Sequence, residues 1–406
     1  MIPPHTKNPD FASPAFRAEP FGFYARLRAT APVYRAALPG RQTAWLVTRY
    51  DDVLATLKDE RLVKDPRAAL AAEQREQRPW LPAFLAPLSR NMLDLDGADH
   101  ARLRALVQQA FTPRLVERLR GRVQALADEL LDRAAPGGRL DLIRDYALPL
   151  PLTVIGDLLG VPPTERAQFG RWSRRIVAVT GSPRDLPVAL PAIWQFMRFV
   201  RRLCAIRRAD PQDDLLTALL RAEEGGDRLS EDELLAMVVL LLIAGHETTV
   251  NLIGSGTLAL LDHPDQLARL RADPALIRPA IEELLRFTSP VAWATERYAR
   301  EPLTIAGTAI GRGERILAVL GSANRDERQF DRPGLLDLAR TPNRHLAFGQ
   351  GGHYCLGAPL ARLEGQLAIA TLLRRAPNLR LAVDRGALRW RRGLFLRGLE
   401  RLPLAV

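Results

Sequence analysis

Two cysteines, Cys204 and Cys355, are all that 406 residues contain. No disulfide framework can hold such a chain together, and a zinc site, which needs about four ligands, cannot be built on thiolates. Lysine is almost as scarce. It occurs only at Lys7, Lys58 and Lys64, so nearly all of the 58 basic residues are arginine. The net charge of +12 first suggests nucleic acid or an acidic partner. The arginines are scattered among acids, however, as where Arg118, Arg120 and Arg122 precede Asp128 and Glu129. That is a compositional bias rather than a basic patch, and nucleic acid is not the expected partner. No apolar run reaches the ~20 residues a membrane span needs; the longest is Leu234 to Gly245. Met1 to Phe23 is polar and proline-rich, without the basic-then-apolar order of a signal peptide. A soluble, cytoplasmic protein with no membrane attachment is expected. No Gly/Ser tract, proline-rich spacer, charge block or repeat divides the chain. One large domain over residues 1–406 is the reading, with an irregular N-terminal arm at 1–19.

What is present is helical periodicity. The spacing of apolar residues predicts helices over Pro20–Ala29, Asp51–Asp59, Ala98–Phe111, Pro113–Ala134, Leu152–Leu159, Pro163–Val179, Leu186–Ala209, Asp214–Glu223, Ser230–Leu261, Pro264–Ala272, Ala275–Phe287 and Ala358–Arg375. The middle of Ser230–Leu261 is apolar on nearly every side, which marks a helix buried through the core. Ser230 and Glu233 form a capping-box signature at its start. Strands are expected in a hairpin, Val33–Ala36 with Ala44–Thr48, in a patch over Leu303–Val319 and over Leu379–Val406. Asp65 to Asn91 lacks periodicity and reads as a long loop, a length often tied to function. The class is mainly α with a smaller β region.

The strongest local signal is Phe348-Gly349-Gln350-Gly351-Gly352-His353-Tyr354-Cys355-Leu356-Gly357. Glycines permit a tight loop with N–H groups turned inward. A helix follows at once, with Pro359 in its first turn and Leu356, Leu360, Leu363 and Leu367 as an apolar stripe. Cys355 therefore sits at a helix N-terminus inside a glycine loop, where the dipole and donated N–H bonds favour a thiolate. Such a thiolate is a nucleophile or a metal ligand. His353 two residues away leaves a Cys/His hydrolase open. Cys204, with no glycine, histidine or turn beside it, reads as buried filler.

The ten-residue stretch resembles the haem-binding signature of cytochrome P450 enzymes, Phe-x-x-Gly-x-His/Arg-x-Cys-x-Gly, at every fixed position. The resemblance runs from about residue 20 to the C-terminus. Ala244-Gly245-His246-Glu247-Thr248 is similar to the family's oxygen-activation motif, and Glu283-Leu284-Leu285-Arg286 to its Glu-x-x-Arg pair. Ala323-Asn324-Arg325-Asp326 and His345-Leu346-Ala347-Phe348 follow the bacterial pattern. Glu327 stands where a proline is usual, a departure expected to alter only a surface turn.

The resemblance implies the P450 fold, with haem b between the long buried helix and the cysteine-loop helix. It implies Cys355 as axial ligand of the iron, which pushes electron density toward O–O cleavage, and Phe348 packed near the thiolate. His100, Arg104, Arg297 and His353 are implied at the haem propionates, and Ala244 at the haem face. Glu247 and Thr248 are the implied proton route, and Glu283, Arg286 and Arg340 a structural cluster. The implied activity is a monooxygenase that puts one oxygen atom of O2 into an apolar small molecule. Electrons would come from NAD(P)H through a separate acidic ferredoxin or flavodoxin with its reductase, docking near Cys355 at Arg102, Arg114 and Arg362. Candidate pocket residues are Trp80, Phe84 and Leu85 from the long loop, Ala244, Val291, Ala292, Trp293 and Phe395. A peroxygenase, an oxidative coupling enzyme and a non-enzymatic haem sensor remain as rivals.

Overall fold

In the computed structural model, residues 8–39, 42–69, 91–134, 137–181, 186–224 and 226–406 are described. The expected hairpin forms as Val33–Leu38 antiparallel to Gln42–Val47. It is one side of a five-stranded sheet that continues through Arg315–Ala318, Arg297–Ala299 and Leu62–Val63. The pairing of Arg315–Ala318 with Gln42–Val47 is parallel. Leu379–Val406 is less regular than expected. Only Arg380–Leu381 and Pro403–Ala405 are strands, and the latter pairs with Arg139–Asp141 from the middle of the chain. Pro113–Ala134 is two helices, Pro113–Arg118 and Arg120–Ala134, separated at Leu119.

The central helix, Glu231–Leu261, organises the rest. Ser230 caps it through the full capping box, and Glu231, Asp232 and Glu233 place negative charge at the positive end of its dipole. It is long and apolar enough to cross a membrane, but 67% of its most apolar window is buried inside the protein. Helices Pro149–Leu158, Ile277–Thr288 and Ala358–Arg375, hereafter the cysteine helix, pack against it. Glycine lets one neighbour come close: a Cβ at Gly254 would lie 2.4 Å from Ile143 Cδ1.

The described part of the N-terminal arm holds one regular element. Pro14–Ala18 is a short helix capped by Ser13, whose Oγ accepts from Phe16 N at 3.2 Å. Arg17 is wholly buried and donates to the carbonyls of Leu394 and Leu396. Arg397 donates in return to the carbonyls of Arg17 and Ala18 at 2.8 and 2.9 Å. Short polar segments look irregular in sequence because such distant backbone acceptors cannot be read there.

Candidate active site

The cysteine loop is shaped by two left-handed glycines. Gly349 has φ +70° and Gly351 φ +77°, and a Cβ at Gly351 would stand 2.8 Å from the Leu57 carbonyl oxygen. Strain and overlap together exclude other residues there. Cys355 N donates to Phe348 O at 3.0 Å, which closes the loop. The sulfur accepts from the backbone N–H groups of Gly357 and Ala358. Burial nevertheless pushes the thiol up, outweighing those bonds and the guanidiniums of Arg104 and Arg362. The N–H groups thus act in the expected direction, toward the thiolate, and burial opposes them. A bound metal ion is the agent that deprotonates such a thiol outright.

Beside the loop lies a cluster of cations and imidazoles. The rings of His100 and His353 stack at 4.2 Å between centroids. Burial first, then His353 and Arg104, bring His100 down to about 4. Its Nε2 is buried with no hydrogen-bond partner among the described residues. Arg104 donates to Tyr354 O at 2.7 Å. Arg297 is buried, its one side-chain hydrogen bond among the described residues a long one of 3.5 Å to Thr295 O, and burial lowers it to about 10. Two neighbours escaped sequence reasoning. Lys64 is buried and donates to Thr295 and to Glu296 O, and burial with Arg297 depresses it well below the usual lysine range. Asp96 accepts from the backbone of Lys64 and Asp65 at 2.7 and 2.8 Å and faces His353. The scarcity of lysine was the one available signal for Lys64.

On the central helix, Ala244 and Gly245 are exposed between buried neighbours Leu242 and His246, and carry nothing larger than a methyl group. Thr248 Oγ1 donates to Ala244 O at 3.0 Å and Thr249 Oγ1 to Gly245 O at 3.3 Å. Glu247 is buried, and Arg391 donates to its Oε1 at 3.3 Å. Arg391 had no signal in the sequence, because it comes from the irregular C-terminal segment.

Glu283 and Arg286 are both completely buried and paired at 2.7 Å through both oxygens. Arg340 Nε reaches the same carboxylate at 3.2 Å, and Asp337 N and Asn343 Nδ2 complete its coordination. Arg286 spends its other protons on the carbonyls of Asn324, Pro333 and Leu335. Five donors thus converge on Glu283, two from its own helix and three from residues 337–343, which ties Ile277–Thr288 to the chain leading into the cysteine loop.

Several expected placements differ. Trp293 is core, wholly buried, with its Nε1 donating to Tyr24 OH at 2.8 Å and its ring edge-on to Phe11. Ala292 is buried against Gly321. Val291 and Phe395 are half-buried on adjoining segments, since Val291 bridges Leu396. Trp80, Phe84 and Leu85 lie outside the described residues. Arg102 is committed to Glu233 and Asp227, and Arg362 to Glu282 through two bonds of 2.8 Å, so neither is a free docking cation. Arg114 is exposed. Glu327 does more than shape a surface turn, because it accepts two bonds from buried Arg28 at 2.9 and 3.1 Å.

The family model for Cytochrome P450 matches residues 195–376. The polyketide biosynthesis cytochrome P450 PksS of Bacillus subtilis (strain 168) is 44% identical over 409 residues, covering 100% of this chain and 98% of the relative. Its solved structure superposes with a TM-score of 0.90 at 43% identity, over 97% of this chain and 98% of that one. The chain belongs to the cytochrome P450 family. The cytochrome P450 monooxygenase PikC of Streptomyces venezuelae is 46% identical over 96% of this chain and 91% of its own length. The structure of P450BioI in complex with a hexadec-9Z-enoic acid ligated acyl carrier protein matches with a TM-score of 0.86 at 39% identity, covering 97% and 99% of the two chains. This P450 is accordingly a haem-thiolate monooxygenase, an oxidoreductase that uses haem b and O2 and takes electrons from NAD(P)H through a redox partner.

The residues present fit a haem. An orphaned imidazole nitrogen on His100 and a nearly unpartnered buried Arg297 are donors suited to carboxylates. Cys355 supplies a sulfur at a helix start beside Arg104 and Arg362, and the bare surface at Ala244 and Gly245 suits a flat ring.

One buried acid of this P450 carries a pH dependence. Glu364, on the cysteine helix, is fully buried; burial raises it to about 8 against a hydrogen bond from Thr249, and Oε1 has no partner among the described residues. The folded state holds this proton between the unfolded value of 4.5 and about 8. The stability it contributes is complete below 4.5 and lost as pH rises through 8. Glu364→Gln should flatten the melting temperature between pH 6 and 9 and gain stability on the order of a few kcal/mol at the alkaline end. Thermal melts of both proteins across that range check it.

Proposed function

We propose that this P450 hydroxylates or epoxidises an apolar acyl or polyketide-class substrate, with Cys355 as the residue that would hold the haem iron. The observation that carries the reading is the Cys355 sulfur, held by the N–H groups of Gly357 and Ala358 at the start of a helix packed on the one that bears Thr248. Bound haem supplies the reductive activation of O2. Everything else falls to the side chains. His100, Arg104, Arg297 and His353 would hold the propionates, and Phe348 would shield the sulfur. Val291, Phe395, Ala244 and Thr248 border the substrate. Glu247, oriented by Arg391, relays a proton from solvent toward Thr248. The Thr248 hydroxyl spends its own hydrogen on Ala244 O, so its lone pairs remain to accept from Glu247 or an intervening water. Glu283, Arg286 and Arg340 are structural support.

Thr248→Ala should keep haem and the substrate-induced spectral shift but lose most product per electron, the balance appearing as peroxide. Product and NADPH measured together test this; unchanged coupling overturns the relay.

The electron donor is an acidic ferredoxin or flavodoxin with its reductase, in the cytoplasm. Arg114 and Lys58 are its contacts, the latter exposed and packed against Gly351 of the cysteine loop. Exposed charge steers encounter and is screened over about 8 Å at physiological salt. Lys58→Glu should slow reduction by ferredoxin several-fold at low salt and little at high salt, as stopped-flow rates would show.

A second reading concerns how the substrate arrives. A carrier-bound acyl group, as in the P450BioI complex, is favoured by the charge of one helical hairpin, Arg166 to Ala209, which holds ten arginines and one acid.

A further inference from the structure

That hairpin, Arg166–Gly181 with Leu186–Ala209, departs from the average composition of the chain. Its one acid is Asp185, whereas the whole sequence sets 46 acids against 58 basic residues. Arg374 to Arg401 is as biased, with nine arginines and two acids, but six of those arginines pair with carboxylates from other segments. Neighbouring elements neutralise part of the hairpin's charge. Arg166 reaches Asp157 at 2.7 Å, Arg201 reaches Glu231 at 3.2 Å, and Arg202 and Arg207 pair with Glu165 and Asp214. Arg171, Arg174, Arg175, Arg198 and Arg208 stay exposed, and no carboxylate of the described residues pairs with them.

Large apolar side chains stand among these cations. Trp194 is 47% exposed and Val188 76% exposed. The Arg198 guanidinium lies 4.7 Å from the Trp194 ring centroid. Tryptophan and arginine are the residue types that most often dominate binding energy in interfaces. The two helices are fixed to each other by the Trp172 Nε1 bond to Gln195 Oε1 at 2.9 Å and by the rings of Phe169, Phe196 and Phe199. The surface is therefore built before any partner arrives, which lowers the ordering cost of binding.

Position separates the possible partners. Both hairpin helices pack on the central helix, which bears Thr248. The cysteine helix packs on the central helix together with Arg120–Ala134 and Ile277–Thr288. An electron donor must come to the cysteine loop, whereas a partner seated on the hairpin meets two helices that pack directly on the one bearing Thr248. We infer that the outward face of the hairpin docks an acidic carrier protein presenting the substrate as a thioester-tethered acyl chain. Arg171, Arg174, Arg175 and Arg198 meet its carboxylates around Trp194. This rests on the carrier-bound reading above and names its surface.

The test uses haem-loaded protein, an acidic bacterial acyl carrier protein charged with a hexadec-9-enoyl thioester, and free hexadec-9-enoic acid. Calorimetry measures carrier binding and the Soret shift measures entry of the acyl chain. Wild type should bind the charged carrier about ten-fold or more tightly than the free acid. Arg174→Glu with Arg175→Glu, and separately Trp194→Ser, should each weaken the carrier by about ten-fold, with the free acid changed less than about two-fold. Lys58→Glu should leave carrier binding alone. A wild type that does not bind the carrier overturns the carrier-bound reading itself. Carrier binding that survives every hairpin substitution keeps that reading and overturns the assigned surface. Retention on anionic phosphatidylglycerol vesicles that the same substitutions abolish, with carrier binding unaffected, assigns the hairpin to a lipid surface instead. Loss of ferredoxin reduction in the hairpin variants, with carrier binding intact, assigns it to the electron donor.

Discussion

Cys355→Ala should abolish the strongly red-shifted Soret band of the reduced, carbon-monoxide-bound protein and bring monooxygenase turnover to background. The substitution removes the sulfur that the Gly357 and Ala358 N–H groups converge on, while Phe348 O still receives the backbone of residue 355. The loop should keep its shape, so haem retained through His100, Arg297 and His353 would give an altered spectrum rather than an empty protein. Cys204→Ala is the matched control. Cys204 is buried in the main core, and burial raises its thiol to about 11, so it packs as a small apolar group. Its loss should cost about 1 kcal/mol of stability and leave the band in place. A red-shifted band that survives in Cys355→Ala would sink the ligand assignment.

Glu283→Ala should destabilise the fold by about 3–5 kcal/mol, because it leaves the guanidinium of Arg286 buried without its counter-charge. Arg340, Asn343 and the Asp337 N–H lose the same acceptor. The damage should reach the haem, since these groups lie on the chain that runs into His345 and Phe348. Lower haem content per chain and a reduced urea midpoint are the expected readings. Glu283→Gln should be intermediate: it keeps the volume and some acceptor capacity but loses the charge. Equal stability of wild type and Glu283→Ala would mean that the cluster is dispensable.

Much of this was visible before any coordinates. Pro264–Ala272 and Ala358–Arg375 form over the expected residues, because proline in the first turn and a clear apolar stripe define their starts. The cysteine loop was legible for a different reason: its glycines answer to local geometry, and local geometry is written in neighbouring residues. What could not be read depends on distant partners. Lys64 satisfies itself on carbonyls of residues 295 and 296, and Arg391 finds Glu247 across 144 positions. Trp293 reads as a pocket residue in sequence because an apolar side chain after Pro290 looks the same whether it faces substrate or Tyr24. Arg102 and Arg362 looked like free cations because their acids lie far along the chain. Glu364 was the one avoidable omission: it stands four residues after Leu360, on the apolar side of its helix, where a carboxyl is out of place.

The clasp between Arg17 and the carbonyls of Leu394 and Leu396, returned by Arg397, has a meaning for synthesis on the ribosome. A chain emerges N-terminus first, and its early segments usually settle as they appear. Here buried Arg17 waits for acceptors 377 and 379 residues later, so the Pro14–Ala18 helix cannot lock until Leu394 and Leu396 have left the ribosome. The segment carrying Phe395, beside Val291, is anchored only when residues that far apart in synthesis meet. Nascent chains cut short before Leu394 should therefore leave the Pro14–Ala18 helix open to protease, and chains that extend past Arg397 should protect it.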